Sequence, residues 1–471
     1  MKRNKWKRTL AFVTGIFCSL QINTISVQAA DYWPEGPAVE SEAAIVLEIT
    51  SGTVLYEKNS QDAHYPASIT KIMTTLVALE NSDLNEVVTF SDAAIDNTEG
   101  SGIARDYGEQ MTMEQCLYAI MLNSANECAY AVAEHVGGGD IQLFVDLMNE
   151  KAEELGCVNT HFANPHGLHD DNHYTCAYDM ALIGQAAYSN ETFRIITGTS
   201  RYTIPPTNKH AEETNLQNHH EMLYPFKYTK YRYDYCTGGK TGYTTVTKST
   251  LVTFAEKDGM KLVCIVMRTT APSHWTDTTN LLDFCFDNFQ VWNISENETD
   301  YGVGDSINTG SLNGNEPFVE LDKDAVVVLP KTAAFTDATS EISYNNEVSD
   351  VTGTISYSYA GHCVGSANIA KTQVEIDKFV FDNQKETEEE STTVQIKPIQ
   401  IIVIVSLIVG LLAVILLIKY LFDNFYIIRH NREVQKIRKE QYRERKIRKA
   451  KRRKKRTRVW VKQQQNKNKR R

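Results

Sequence analysis

The chain has 471 residues, too many for one ordinary domain, and this length predicts two or three. Hydrophobic residues make up 42% and charged residues 23%, which allows a buried core, and the counts of 25 glycines and 11 prolines exclude collagen-like and low-complexity proteins. The net charge of −10 averages three unlike segments: residues 1–30 hold 5 bases and no acid, residues 421–471 hold 22 bases and 4 acids, and the rest holds 22 bases and 55 acids. An acidic body of this kind does not favour nucleic acid as its partner.

The N-terminus has the pattern of a secretory signal peptide over residues 1–29. A basic start is followed by an apolar run at residues 9–20, and Val27-Gln28-Ala29 places small residues where a signal peptidase cleaves. The alternative is a retained N-terminal anchor, but the run is short for a membrane span. We therefore expect residues 30 onward to be exported.

Residues 30–295 alternate between strand and helix patterns. Strand pairs are predicted at both ends of this region, at residues 43–57 around Ser51-Gly52 and at residues 249–268 around Lys257-Asp258-Gly259. Helices are predicted between and after them, at residues 68–80, 112–135, 141–155, 177–188 and 277–289. Strands at the two ends with helices between them predict an α+β domain whose sheet combines N- and C-terminal pieces.

The next region, residues 296–382, contains short β-like runs separated by Asn, Asp and Gly. We expect a small β-rich domain there, followed by an acidic, Thr/Ser-rich linker over residues 383–398. Eight cysteines lie between residues 116 and 363, and none forms a C-x-x-C pair. The pattern supports neither a metal nor a redox site, so no cofactor is predicted.

Residues 399–418 are uncharged and apolar, and Lys419 follows them. This length predicts a transmembrane helix, since a buried core helix would not be apolar on every face. The positive-inside rule then places the polybasic tail, residues 419–471, in the cytoplasm. We predict a single-pass protein of the cell membrane, with residues 30–397 outside and the tail attracted to anionic lipid rather than nucleic acid.

The first chemical motif is Ser68-Ile69-Thr70-Lys71, an S-x-x-K pattern at the start of a predicted helix. Residues i and i+3 share a helix face, so the lysine amine can reach the serine hydroxyl. A serine becomes a good nucleophile only when a base takes its proton, and a lysine can be that base if burial or a nearby cation lowers its pKa. Alone, the motif also fits a capping serine followed by a surface lysine.

Two further motifs follow. Ser124-Ala125-Asn126 interrupts an apolar stretch, so its polar groups must be satisfied internally or face a cavity; a helix kink is the alternative. Gly238-Gly239-Lys240-Thr241-Gly242 precedes the second strand pair. Because Gly242 has no side chain, a substrate backbone can lie alongside as an added strand. The alternative interpretation of this sequence is a glycine turn with a solvent-exposed lysine.

S-x-x-K, S-x-N and K-T-G in this order are the signature of penicillin-binding proteins and serine β-lactamases. From about residue 43 to residue 289 the chain resembles the D-alanyl-D-alanine carboxypeptidases, the low-molecular-mass penicillin-binding proteins. Asn164-Pro165-His166-Gly167-Leu168 belongs to the same resemblance, and we interpret that segment as a loop. The resemblance implies a transpeptidase-like domain, a sheet flanked by helices, that trims the terminal D-alanine from peptidoglycan pentapeptides and binds β-lactams covalently.

The resemblance also implies roles for individual residues. Ser68 would be the acylated nucleophile, Lys71 its base, and Ser124 the relay of a proton to the leaving D-alanine. Asn126 and the strand around Lys240 would bind the substrate. Lys240 and Thr241 would bind the C-terminal carboxylate region of the substrate, and the substrate backbone would lie beside Gly242 as an added strand. The oxyanion hole would come from the backbone N–H groups of Ser68 and Tyr243.

The chain departs from the family pattern in its middle motif and in its arginines. Ala125 stands where relatives often have glycine. Relatives commonly carry an arginine beyond the K-T-G strand that holds the substrate carboxylate, and here Arg268 is the only arginine between Gly242 and the predicted membrane helix, which leaves the carboxylate's partner open. Two alternatives stay open from the residues alone. A class A β-lactamase would add a Glu-x-x-x-Asn loop, which does not occur between Asn126 and Lys240. A non-catalytic penicillin-binding sensor would signal through the tail.

Overall fold

The computed structural model describes residues 32–298, 319–344 and 351–371. The predicted signal peptide, linker, membrane helix and basic tail lie outside these residues. None of the helices that the structure describes is long and apolar enough to cross a bilayer.

Nine helices lie within the described residues: α1 (Lys71–Asn81), α2 (Asp92–Asp96), α3 (Met113–Asn123), α4 (Asn126–Val136), α5 (Ile141–Glu154), α6 (Ala177–Ser189), α7 (Glu191–Gly198), α8 (Ser273–Asn288) and α9 (Ile294–Asn297). The described strands are β1 (Ala43–Glu48), β2 (Val54–Lys58), β3 (Val87–Thr89), β4 (Gln110–Thr112), β5 (Arg201–Ile204), β6 (Thr214–Gln217), β7 (Cys236–Thr244), β8 (Lys248–Lys257), β9 (Met260–Thr269), β10 (Phe289–Asn293), β11 (Val319–Leu321), β12 (Val326–Pro330), β13 (Thr339–Tyr344), β14 (Val351–Tyr359) and β15 (His362–Lys371).

The main sheet has the antiparallel strand order β2-β1-β9-β8-β7. It joins the N-terminal strand pair to the C-terminal one, as the sequence predicted. Strand β1 is buried on both faces: Ala43, Ile45 and Leu47 pack into a core with the helices, and Ala44 and Val46 pack into a second core with α8. Because successive side chains of a strand point to opposite faces, one apolar run serves both layers.

The helical layer differs from the prediction at one important point. Residues 112–135 do not form one helix but two, α3 and α4, because Ser124 adopts a left-handed conformation with φ +59° and ψ +31°. Ala125 is then extended, and α4 starts at Asn126. This break takes the polar motif out of the apolar helix and turns it toward the first turn of α1.

A second sheet has the order β10-β12-β15-β14-β13, with β11 paired to β15. Its first strand begins at Phe289, directly after α8. Ile294, Val327, Leu329 and Ile355 form part of its own buried core. The described residues after α8 thus form mainly strands, in the region where the sequence contains short β-like runs.

Candidate active site

Ser68 lies on a short 3₁₀ turn, Ala67–Thr70, that leads into α1. Ala67 has a φ of +52°, and its carbonyl accepts a hydrogen bond from the Thr70 hydroxyl at 2.8 Å. A left-handed backbone costs a non-glycine residue about 1 kcal/mol or more, and such strain persists only where the surroundings hold it. The backbone of Gly167 packs directly against this turn. A Cβ at position 167 would lie only 2.0 Å from the Ala67 carbonyl oxygen, so no larger residue fits there.

Lys71 is completely buried, and its ammonium has three acceptors within the described structure. It donates to the Ser68 Oγ at 3.2 Å, to the Asn126 Oδ1 at 2.7 Å and to the His166 carbonyl at 2.5 Å. Burial, followed by the positive charge of Lys240, lowers the pKa of Lys71 well below its ordinary value, while the Glu127 carboxylate opposes the shift. A neutral amine within reach of the Ser68 hydroxyl can take its proton.

Ser124 and Asn126 reach the same place from the break between α3 and α4. The Asn126 Nδ2 donates to the Glu99 carbonyl, so its Oδ1 is left for Lys71. The Ser124 Oγ is buried and has no hydrogen-bond partner in the described part of the chain. A buried hydroxyl without a partner is costly in a folded protein, which makes this oxygen a candidate for contact with a substrate.

Lys240 and Gly242 lie on β7, the edge strand of the main sheet. The Lys240 side chain is 1% exposed, and burial lowers its pKa to about 7. A Cβ at position 242 would lie 2.3 Å from the Thr250 Oγ1 and 3.2 Å from the Ser68 backbone nitrogen. Glycine therefore lets the strand approach the turn that carries Ser68. Within the described residues β7 pairs only with β8, and on its outer edge the Gly239 backbone bonds to the Thr197 hydroxyl. The edge at Gly242 has no strand partner there.

The structure thus brings most of the predicted residues together. Hydrogen bonds join Ser68, Lys71 and Asn126, while Lys240 acts on Lys71 through its charge. Thr241 and Tyr243 flank Gly242. Their side chains make no hydrogen bond to these residues in the described structure, and Tyr243 is 68% exposed.

The segment Asn164–Leu168 is a loop, as predicted. The Asn164 side chain accepts from the Gly167 N–H at 2.7 Å and donates to the Leu168 carbonyl at 3.0 Å. Burial, followed by the charge of Lys71, lowers the pKa of His166 to about 3, so its ring is neutral and accepts the Leu168 N–H. The loop therefore contributes to the site through its backbone, because the His166 carbonyl accepts a hydrogen bond from the Lys71 ammonium.

The sequence did not reveal the role of Glu127 or of the segment 99–103 beside it. The Glu127 carboxylate is buried and accepts the Ile103 N–H at 2.6 Å, and the Asn126 N–H donates to the Ser101 carbonyl at 2.9 Å. The Thr-Glu-Gly-Ser-Gly composition of residues 98–102 indicates a turn. No sequence signal showed that this turn would meet the residue after the S-x-N motif.

Arg268 forms an ion pair at the surface. Its Nε lies 2.9 Å from the Glu42 Oε2, and both side chains are more than a third exposed. The described residues also contain no group of three or more His, Cys, Asp or Glu side chains arranged to bind a metal ion. The side-chain groups that the described structure brings together at the site are hydroxyl, ammonium and amide groups.

Comparison with known proteins gives concordant results. Residues 30–271 match the family described as D-alanyl-D-alanine carboxypeptidase. The D-alanyl-D-alanine carboxypeptidase DacF of Bacillus subtilis is 33% identical over 322 residues, which cover 66% of this chain and 78% of that protein. DacB2 of Mycobacterium tuberculosis, named as the same activity, is 34% identical over 259 residues, 54% of this chain and 84% of that protein. The crystal structure of the Streptomyces K15 DD-transpeptidase has 28% identity and a TM-score of 0.50, covering 54% of this chain and all of that chain.

Proposed function

The chain belongs to the D-alanyl-D-alanine carboxypeptidase family of serine peptidases, and from this premise we propose that Ser68 is its acylated nucleophile and Lys71 the base. The protein is a serine-type D-Ala-D-Ala carboxypeptidase, and a peptidoglycan peptide substrate and covalent β-lactam binding fit this family. The observation that carries the assignment is the Lys71 ammonium, completely buried and 3.2 Å from the Ser68 Oγ. No finding favours a β-lactamase or a non-catalytic sensor.

In the acylation step, the Ser68 Oγ attacks the carbonyl carbon of the penultimate D-alanine while its proton passes to the Lys71 Nζ. The carbonyl oxygen takes up negative charge, which the backbone N–H groups of Ser68 and Tyr243 would stabilise. The close approach of β7 to Ser68 supports this pair of N–H donors, since a Cβ at Gly242, the residue before Tyr243, would lie 3.2 Å from the Ser68 backbone nitrogen. When the C–N bond breaks, the departing amine takes a proton from Lys71 through the Ser124 hydroxyl, which lacks another partner.

Deacylation completes the cycle. Water attacks the Ser68 ester, its proton passes to Lys71, and the Ser68 Oγ takes a proton back as the ester bond breaks. Asn126 would position the peptide carbonyl, and the open edge of β7 at Gly242 would pair with the peptide backbone. Lys240 and Thr241 would face the C-terminal carboxylate.

The assignment is tested with the full-length protein in detergent. Wild type and Ser68→Ala are compared for D-alanine release from a peptide ending in D-Ala-D-Ala and for covalent labelling by a fluorescent penicillin. We expect both signals to disappear in Ser68→Ala, because the ester forms on that oxygen. Ser189→Ala is the matched control, since the hydroxyl of this exposed serine donates to the Gln185 carbonyl within α6. Labelling that survived in Ser68→Ala would overturn the site.

The membrane arrangement is a second proposal, supported by the sequence pattern alone. We propose that residues 1–29 direct export, that residues 399–418 anchor the chain, and that the basic tail contacts anionic lipid on the cytoplasmic side. Residues 296–382 would space the catalytic domain from the bilayer. Protease added to intact protoplasts should remove the catalytic domain and leave a C-terminal epitope protected; loss of the epitope would contradict this topology.

A further inference from the structure

The segment between β6 and β7 has an unusual composition for this chain. Between Tyr224 and Tyr235 it holds six aromatic residues, three bases and one acid. The three bases, Lys227, Lys230 and Arg232, stand out in a body that is otherwise strongly acidic. We call residues 219–235 the tyrosine-rich loop.

Hydrogen bonds and ring contacts fix the course of this loop. The buried Glu221 carboxylate accepts the backbone N–H groups of Lys227 and Tyr228, at 3.1 and 2.8 Å, and so closes its first half. Tyr231 stacks on Trp275 of α8, and the Tyr233 hydroxyl donates to Asp283 at 2.8 Å. The exposed side chains between these anchors therefore have a defined place on the molecule.

The start of the loop lies against the candidate active site on two sides. The His219 N–H donates to the Leu122 carbonyl at 3.2 Å, two residues before Ser124. The next residue, His220, packs on β7 so closely that a Cβ at Gly239 would lie 2.6 Å from its Nε2. His219 is thus held between the turn of Ser124 and the strand of Lys240.

The ring of His219 is free to bind a ligand. In the described structure its ring nitrogens make no hydrogen bond, and the ring packs on Phe226 with 4.6 Å between centroids. Burial, followed by the charges of Lys240 and Lys227, lowers the pKa of His219 to about 4, so both ammonium groups act on the ring and leave it neutral. A neutral imidazole carries one N–H donor.

The substrate's C-terminal carboxylate needs more than one donor at this place. Arg268 is paired with Glu42, and Lys240, with a pKa of about 7, is only partly charged at neutral pH without an anion. Lys227 has no anionic partner among the described residues, and its ammonium lies 5.7 Å from the centroid of the Phe226 ring. His219 therefore offers an unused donor whose ring feels the charge of Lys240, and Lys227 offers an unused charge that acts on the same ring.

We propose that the tyrosine-rich loop recognises the free C-terminus of the substrate: His219 donates an N–H to the terminal carboxylate beside Lys240, and Lys227 adds positive potential. The inference rests on the proposed function, which places that carboxylate at the Lys240 end of β7. The loop is then the element that distinguishes a free C-terminal D-alanine from a chain that ends in an uncharged group.

The test compares two peptides that end in D-Ala-D-Ala, one with a free carboxylate and one with a C-terminal amide, on the full-length protein in detergent. His219→Ala should lower kcat/KM for the free acid roughly tenfold to a hundredfold, mainly by raising KM, and leave the amide unchanged, because a hydrogen bond to a charged group is lost. Lys227→Gln should lower kcat/KM for the free acid a few-fold, and this decrease should be smaller at high salt because salt screens the charge. His219→Arg should keep the preference for the free acid.

Lys230→Gln is the matched control for Lys227, because its ammonium lies over the Tyr231 ring in the same loop; it should behave as wild type. Penicillin labelling of Ser68 in each variant reports an intact site. If His219→Ala reduced turnover of the acid and the amide equally, or reduced neither, the inference would be wrong although the enzyme was active. If the wild type released no D-alanine and took no penicillin label, the proposed function would fail, and the inference with it.

Discussion

The ammonium of Lys71 donates a hydrogen bond to the Oδ1 of Asn126 at 2.7 Å, across 55 residues of sequence. This contact joins the first motif to the second inside a buried environment. It fixes the direction of the lysine side chain while burial lowers its pKa. A base held in this way needs little rearrangement to accept a proton from Ser68, and pre-organisation of this kind is a large part of enzymatic rate enhancement.

The first prediction tests whether Lys71 must lose its proton. Lys71→Arg keeps the charge, but a guanidinium does not act as a base near neutral pH. We expect the rate of acylation by penicillin to fall by about two to four orders of magnitude, measured by stopped-flow quenching or time-resolved labelling. Lys151→Arg, on the surface and paired with Glu80 and Glu154, should acylate normally. Near-normal acylation in Lys71→Arg would mean that another group activates Ser68.

The second prediction concerns the charge that opposes the pKa shift of Lys71. Glu127→Gln keeps an acceptor for the Ile103 N–H but removes the carboxylate that raises the pKa of Lys71. The other groups acting on this lysine, Lys240 and Cys128, are unchanged. The pKa of Lys71 should therefore fall further, and because the neutral amine is the base, the acid limb of the acylation rate should move to lower pH.

The matched control for this change is Glu134→Gln on the same helix, α4, which should keep the wild-type profile. A pH profile of Glu127→Gln that stayed in place, or moved to higher pH, would show that the carboxylate does not act on the base.

The third prediction links the buried Lys240 to stability. Its pKa is lowered from 10.5 to about 7 in the folded protein, so between pH 7 and 10 the unfolded chain binds more protons at this residue than the folded chain does. Stability then rises with pH in that window, by up to about 1.4 kcal/mol per pH unit. Relative to Lys240→Met, wild type should gain free energy of unfolding from pH 7 to pH 9, measured by urea denaturation. If the difference in free energy of unfolding between wild type and Lys240→Met did not change with pH, the lowered pKa of Lys240 would be contradicted.

The fourth prediction concerns the approach of β7 to the nucleophile. In Gly242→Ala the new Cβ meets the Thr250 Oγ1, which is itself bonded to the Pro66 carbonyl at 3.0 Å and cannot move freely. The strand must shift away from Ser68, so penicillin acylation should slow at least tenfold while the protein stays folded. Gly156→Ala, in an open turn at φ +80°, introduces backbone strain without a contact and should leave acylation unchanged. Equal rates in both variants would argue against the close approach.

The fifth prediction concerns the tail. Truncation after Tyr420 removes 22 bases and no part of residues 30–382. If the tail only sets topology and attracts anionic lipid, D-alanine release in detergent should not change, while binding of the isolated tail to anionic vesicles should weaken with salt. A several-fold change in turnover on truncation would instead connect the tail to the catalytic domain.

The sequence by itself determined the reacting groups and the local frame that carries them. Ser68 and Lys71 are three residues apart at the start of a helix, and that spacing alone brings their side chains to one face. The strand pairs at residues 43–57 and 249–268 could also be predicted from the sequence, because their turns and apolar runs are local signals. The combination of three motifs then indicated the family, although each of them also fits an ordinary structural role.

Only the tertiary structure decided what surrounds these groups. The His166 carbonyl that holds Lys71 is 95 residues away in sequence, and neither it nor the Glu127 carboxylate could be assigned from spacing. The break of the predicted helix at Ser124 and the hydrogen bond from the His219 N–H to the Leu122 carbonyl were also hidden. The physical reason is that hydrophobic periodicity and turn signals act over a few residues, whereas burial, pKa and close backbone approach depend on which distant segments pack together.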